Sequence, residues 1–336
     1  MTEQRLGYIR AEWLGDTTSL TCGRGERPTT MNALPLLDPK NDYVFKRLFS
    51  DAPELLTELI NAVRQDQPPL EVVKVINPNI LPKDLAGKFI FLDILAHDAH
   101  GRQYNIEMQV RCYLFWSARS TYYLARTLVQ QLQGGQDYQV LKPVIGIHLL
   151  DFNLFTNPAD KDQAVWCFEM RDAQRPEVKL GNELQLNLIE LPKADRLGTV
   201  KNASQALMNW ITFLKHWQED EIMAEMHYPP AQQALERIRL LSADEETRYI
   251  AMARERALLD ERSELAAARN EGFEKGEIKG EIKGKANLIG EQLAILFGPL
   301  SDEINTRLRK ATLEQLDLWG KRILRAETIE SVFADH

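Results

Sequence analysis

Long apolar runs are missing from this 336-residue chain: nowhere do about 18 or more uncharged apolar residues follow one another, as a bilayer span requires. The N-terminal stretch MTEQRLGYIRAEWLGD also lacks the apolar middle of a secretory signal. Together these absences exclude a membrane partner from the reading and make the cytoplasm the expected compartment. Cysteine is scarce and odd in number. Cys22, Cys112 and Cys167 are too scattered for a disulfide framework or a zinc site, and read as ordinary thiols. An excess of basic charge is lacking as well, since the formal net charge is −8. That argues against a surface coated for nucleic acid, but net charge governs steering and solubility, and a metal-assisted phosphate site can sit in an acidic chain. What is present is a composition 44% hydrophobic, enough for a sizeable core and roughly two domains.

Residues 1–30 show little periodicity and are expected to be a leader, either a disordered tail or the product of an early start codon. From Met31 the pattern changes. DPKNDYVFKRLFSDAPELLTELINAVR repeats apolar residues at helical spacing, with Asp38 and Pro39 as start signals and SDAPELL as a second start, predicting two helices divided at Ser50 and Asp51. LEVVKVINPNI, KFIFLDILAHD, RQYNIEMQVR, VLKPVIGIHLLDF, AVWCFEMRD and LQLNLIELPK read as strands. Between the third and fourth, YLFWSARSTYYLARTLVQQLQ predicts a long helix closed by Gly134 and Gly135. From about residue 196 the pattern is helical throughout. A direct repeat, EIKGEIKG over Glu277–Gly284, reads as an exposed helix or linker, or as a helix whose glycines admit a partner closely. Ser301 and Thr312 look like helix caps in the last segment.

The link between KFIFLDILAHD and RQYNIEMQVR carries the chemistry. Ala99-His100-Gly101 suits a three-residue hairpin loop with Gly101 in the left-handed position, which pairs residues whose numbers sum to 200. Asp93 then faces Glu107, with Cβ atoms about 5 Å apart, and like charges placed so destabilise a sheet unless a cation joins them. Residues i and i+2 share a strand face, so Asn105, Glu107 and Gln109 point opposite to Tyr104, Ile106, Met108 and Val110. Phe89, Phe91 and Leu95 on the Asp93 side imply that this polar face is partly covered, where two carboxylates must protonate or bind a metal. Oxygen ligands favour Mg²⁺, with Mn²⁺ as an alternative, since no cysteine or histidine pair converges there.

Asp93, then Glu107-Met108-Gln109 on the adjacent strand, with NDYVFKRLF before and YYLARTLVQQLQGGQDYQVLKPVIGIHLLDF after, resemble the PD-(D/E)XK nuclease superfamily. More narrowly they resemble the Rpn group of recombination-promoting nucleases, often labelled transposases. The resemblance covers roughly residues 34–195, and residues 290–336 are similar to the small C-terminal domain of such proteins. It implies an α/β, restriction-endonuclease-like core, a mixed central sheet flanked by helices, with an α-helical C-terminal extension. The expected segments are a core over 31–195, a helical region over 196–265, a glycine-punctuated helix or linker over 266–289, and the small domain over 290–336. The family pattern implies hydrolysis of DNA phosphodiesters with a metal ion held by Asp93, Glu107 and the backbone carbonyl of Met108. Gln109 stands where the superfamily often has lysine; its amide can orient a water but brings no charge and no base.

Asp42 and Lys46 lie one helical turn apart on a helix that, by resemblance, borders the site. Asp42 is thus a candidate third acid, and an ordinary i,i+4 ion pair is the plain alternative. Lys46, Arg119 and Arg126 are candidate DNA contacts, the two arginines reading equally as surface residues beside buried tyrosines. His97 and His100 flank the hairpin turn with Asp98 between them, where residues are usually solvated. YLFWS reads as packing rather than a base-stacking platform. The resulting expectation is an Mg²⁺-dependent DNA endonuclease linked to recombination or mobile elements, whose helical tail could join copies into a homo-oligomer. A non-catalytic DNA-binding or assembly protein on the same fold is the alternative.

Overall fold

A computed structural model of the protein describes residues 35–64, 67–76 and 94–334. The leader, Cys22, Asp93 and the segment KFIFLD that was expected to open the hairpin lie outside these residues.

Helices α1 (Asp42–Ser50) and α2 (Pro53–Val63) occur where the periodicity puts them, but their first turns are capped otherwise than expected. Asn41, not Asp38, caps α1, its side-chain oxygen accepting from the N–H of Tyr43 at 3.1 Å and of Val44 at 3.3 Å. Asp38 instead meets Lys40 Nζ at 3.0 Å. Helix α2 starts behind Ala52 with Pro53 at its first position, and Asp51 turns back to Arg47 at 3.1 Å. In both cases the carboxylate meets a nearby cation instead of capping the helix, Asp38 also accepting from the backbone N–H of Lys40 at 2.8 Å.

The described strands form a mixed sheet of six: β1 (Lys74–Val75), β2 (Ile94–His97), β3 (Gln103–Gln109), β4 (Val144–Leu150), β5 (Val165–Glu169) and β6 (Leu184–Glu190), in the order β1-β2-β3-β4-β6-β5. β3, β4 and β6 run parallel, and the outer pairings are antiparallel. A sheet so mixed must be covered on both faces. Tyr104, Ile106 and Met108 of β3, with Ile145, Ile147 and Leu149 of β4, enter the main core. There they meet α1, α2 and, beyond β6, α4 (Leu191–Leu197), α5 (Gln205–His216) and α7 (Pro229–Ala243); the short α6 (Asp220–Glu225) adds Met223. The opposite face is closed by the crossover helix α3 (Trp116–Val129), whose Trp116 packs with Leu150 and Leu188. Gly146 lets α3 approach: a Cβ there would lie 3.1 Å from Leu124 Cδ2.

α3 stops at Val129, short of the expected end beside Gly134 and Gly135. Gln131 explains the difference. Its amide donates to the carbonyl of Lys142 at 3.0 Å and accepts from its N–H at 2.8 Å, a pairing that holds the chain toward β4. Gly135 then serves the loop, with φ +88°.

The β2–β3 hairpin has the register read from the sequence: Ile94 pairs with Ile106 and His97 with Gln103, and Gly101 has φ +80°. In its turn Ala99 and His100 are exposed as expected, but Asp98 is not. Asp98 is 3% exposed. Its carboxylate accepts from the N–H groups of His100 (2.9 Å) and Arg102 (3.0 Å), from Arg102 Nε (2.6 Å) and from the Tyr104 hydroxyl (3.1 Å). A carboxylate filled by these donors is no metal ligand.

Beyond the core, α8 (Glu245–Phe297) is one helix of 53 residues, about 80 Å at 1.5 Å per residue. The EIKG repeat lies within it, and the space beside Gly272, Gly276, Gly280 and Gly284 is open. Its last turns pack with α9 (Asp302–Lys310), α10 (Leu313–Arg322) and α11 (Ile329–Phe333) around Leu293, Leu316, Trp319 and Val332. Ser301 caps α9, and Thr312 forms a capping box with Gln315, both as read. Among the described residues no helix is long and apolar enough to cross a membrane.

Asp98 supplies a test of the hairpin. Replacing it by alanine leaves buried donors unmet and is expected to cost about 2–3 kcal/mol in urea unfolding. Burial alone would raise its carboxyl, but the Arg102 side chain and backbone and the His100 N–H hold it below the usual 3.8. A depressed folded value means that its stabilisation is complete above the ordinary pKa and is lost as pH falls through the folded value. The gap between wild type and Asp98→Ala should therefore narrow only below about pH 4.

Candidate active site

Alternation along β3 turns Asn105, Glu107 and Gln109 to the face that α3 covers, and the parallel register sets His148 of β4 beside Glu107. Glu107 keeps 18% of its side chain exposed. Gln109 Nε2 donates to Glu107 Oε1, and Arg119 Nη2 lies 3.5 Å from the same oxygen. His148 Nδ1 lies 3.7 Å from the other oxygen, Oε2, and 3.2 Å from Ser120 Oγ. Thus of two successive residues of α3, Arg119 reaches the carboxylate itself and Ser120 reaches the histidine beside it. Arg119 is itself steadied over the rings of Tyr113 (5.2 Å) and Tyr123 (5.9 Å).

His148 is 2% exposed and meets the Trp116 ring edge-on at 5.5 Å. Burial, reinforced by the Arg119 charge, pushes its pKa down to about 3, so the imidazole is neutral. The sequence reading missed it. The signal was a single polar letter in the otherwise apolar VIGIHLL, and only the register of a parallel neighbour gives that letter a partner.

The donors that β3 offers suit a hard cation. The Glu107 carboxylate is one. The second follows from the ladder: Gln103 N–H bonds to Pro143 O and Gln109 O to Asp151 N–H, so the odd residues of β3 serve β4. By alternation the Met108 carbonyl is directed to the β2 side, beyond Ile94, where the described part of β2 begins. Among the described residues no three His, Cys, Asp or Glu side chains converge as a metal site. Asp93, the expected further ligand, lies outside them.

Other expected residues are placed differently. Asp42 does not pair with Lys46: its carboxylate accepts from Arg254 of α8, from Nε at 3.2 Å and from Nη2. Lys46 is 2% exposed, which removes it from the surface on which a DNA contact was expected. Arg126 is exposed, whereas Arg119 turns inward to Glu107. Tyr122 is exposed, not buried as the reading had it. Within YLFWS only Trp116 is core; Leu114 and Phe115 are 90% and 73% exposed, because the connector from β3 to α3 runs along the surface. A cleft of about 460 Å³ opens where β3 and β4 end, lined by Asn41, Val110, Arg111, Asp151, Leu258 and Arg262. Two ion pairs clasp α8 to its rim, Arg254 with Asp42 and Arg111 with Glu261.

Compared with known proteins, residues 39–268 match a family described as PD-(D/E)XK nuclease family transposase. The match runs from the approach to α1 through the first half of α8, and so takes in the sheet, α3 and the clasp. No curated protein and no solved structure matches.

The clasp is tested by Arg254→Met. Its partly shielded ion pair with Asp42 should contribute about 1 kcal/mol to urea unfolding, and Asp42→Asn in the same background should add little, the two residues acting through one contact.

Proposed function

We propose, from the premise that this chain belongs to the PD-(D/E)XK nuclease transposase family, that it is a divalent-metal-dependent DNA endonuclease acting on recombining or mobile DNA. Nucleases of this family generally use divalent metal ions, and Mg²⁺, or Mn²⁺ in its place, suits an all-oxygen donor set. In this reading Asp93, Glu107 and the Met108 carbonyl hold the ion, which when bound supplies Lewis acidity to a phosphodiester and acidifies water.

Glu107 carries the reading. It is a half-buried carboxylate on the E-x-Q strand, kept in one orientation by Gln109 and Arg119 at an edge where a second carboxylate is due. The register supports Asp93 as that partner, since Ile94 pairs with Ile106 and the next positions outward are Asp93 and Glu107. Gln109 commits its NH₂ to Glu107, which leaves its carbonyl to accept from a water. Because an amide is neither a base nor a charge, Arg119 is the group that brings positive charge to this face. Arg126, two turns further along α3, is in this reading a contact to a backbone phosphate, which its exposure supports. Asp42 acts here as the anchor of α8, and becomes a third acid only if Arg254 releases it.

Supercoiled plasmid incubated with Mg²⁺ should be nicked by the wild type and left intact with a chelator. Asp93→Ala and Glu107→Ala should each lower cleavage about a hundredfold or more while keeping the wild-type circular dichroism. Undiminished cleavage by either folded variant sinks the assignment. Arg126→Ala should leave chemistry intact but weaken DNA binding at low salt and reduce the slope of log K against log salt by about one.

A further inference from the structure

His148 lies in the middle of the sheet, and every element around it contributes a neighbour. β3 brings Glu107, α3 brings Trp116, Arg119 and Ser120, and β6 brings Leu188 in register. Its two nitrogens have opposite surroundings. Nδ1 has two oxygens in front of it, Ser120 Oγ at 3.2 Å and Glu107 Oε2 at 3.7 Å. Nε2 is buried with no hydrogen-bond partner among the described residues. A neutral imidazole has one proton to place, and the neighbours decide where. On Nε2 it would be an orphaned donor in an apolar pocket, and the bare Nδ1 lone pair would confront a carboxylate. On Nδ1 it lies between two acceptors, one of them anionic.

We propose that His148 is fixed as the Nδ1–H tautomer and is a positioning residue for Glu107, aiming Oε2 while Gln109 and Arg119 hold Oε1. Ser120 takes part as the second acceptor for Nδ1–H, so α3 controls both sides of the carboxylate. The 3.7 Å separation is longer than a hydrogen bond. Such contacts tighten when a site is loaded, and a small turn of the Glu107 carboxylate closes this one. The arrangement matches the way second partners orient metal-ligating groups elsewhere, where their loss costs about 10–100-fold in metal affinity or activity. The role in metal binding rests on the proposed function; the tautomer does not.

Two measurements on the full chain test this. Long-range ¹H–¹⁵N spectra of the metal-free protein should show His148 protonated at Nδ1, and an Nε2–H signature would overturn the proposal whatever the enzyme does. Mn²⁺ binding by calorimetry and the Mn²⁺ dependence of plasmid cleavage are then compared for His148→Asn and His148→Gln. The Asn amide puts a donor near the Nδ1 position and the Gln amide puts one near Nε2, so both variants stay polar and close in size. His148→Asn should bind Mn²⁺ nearly as the wild type does. His148→Gln should need about tenfold more Mn²⁺ for half-saturation, with cleavage recovering at saturating Mn²⁺. Equal half-saturation for the two variants would overturn the positioning role, as would a loss of rate in His148→Gln that excess Mn²⁺ does not restore. If the wild type binds Mn²⁺ yet cleaves no DNA, the endonuclease reading fails while the binding comparison still decides the role of His148. If it binds no Mn²⁺, the positioning role falls with that reading.

Discussion

The buried carboxylate of Asp98 is the interaction on which the candidate site depends. It sits in the turn of the β2–β3 hairpin, taking two backbone N–H groups of the turn, the Arg102 guanidinium and the Tyr104 hydroxyl. Those donors pin Gly101 in its left-handed conformation and lock the pairing of Ile94 with Ile106. A slip of one residue would send Glu107 and Gln109 into the main core and Ile106 and Met108 under α3, because side chains alternate with period 2. The register therefore does more than stabilise the sheet. It selects which residues face the helix that carries Arg119 and Ser120.

From that register the rest of the site follows in layers. The parallel pairing of β3 with β4 sets His148 beside Glu107, and the close approach permitted at Gly146 brings α3 down onto both. A carboxylate so surrounded is orientated before any ligand arrives: Gln109 and Arg119 hold one oxygen, His148 crowds the other, and partial burial strengthens each contact. On the other side of the sheet, the first turns of α8 close over α1 through Arg254 and Asp42. The long helix is thus tied to the same end of the sheet at which β3 and β4 open into a cleft.

Much of this was legible in the sequence, and for a common reason. The hairpin, the face of Glu107, the two N-terminal helices and the Ser301 and Thr312 caps are local features, written in residues within a few positions of one another. Several misreadings are cases in which a side-chain partner that the pattern does not announce wins, near in the chain or far along it. Asp38 was read as a cap and pairs with Lys40; Asp42 was read against Lys46 and pairs with a residue 212 positions away. α3 was carried to its glycines and is ended by Gln131, whose amide binds Lys142. Asp98 was read as solvated because turns usually are, and Tyr104 and Arg102 enclose it.

By itself, the sequence determined the alternation of β3, the register of its hairpin and the kind of atoms, carboxylate and amide, that meet on one face. These depend on the period of a strand and the conformational freedom of one glycine, which need no knowledge of the rest of the chain. Only the tertiary structure decided who attends that carboxylate: His148, itself met by Ser120, near one oxygen, Arg119 on the other, and Arg254 on Asp42. Those partners come from elements 12 to 212 residues away. They are joined by a parallel crossover and a helix packing whose energy comes from the apolar residues beneath, so no local pattern among the polar letters could have announced them.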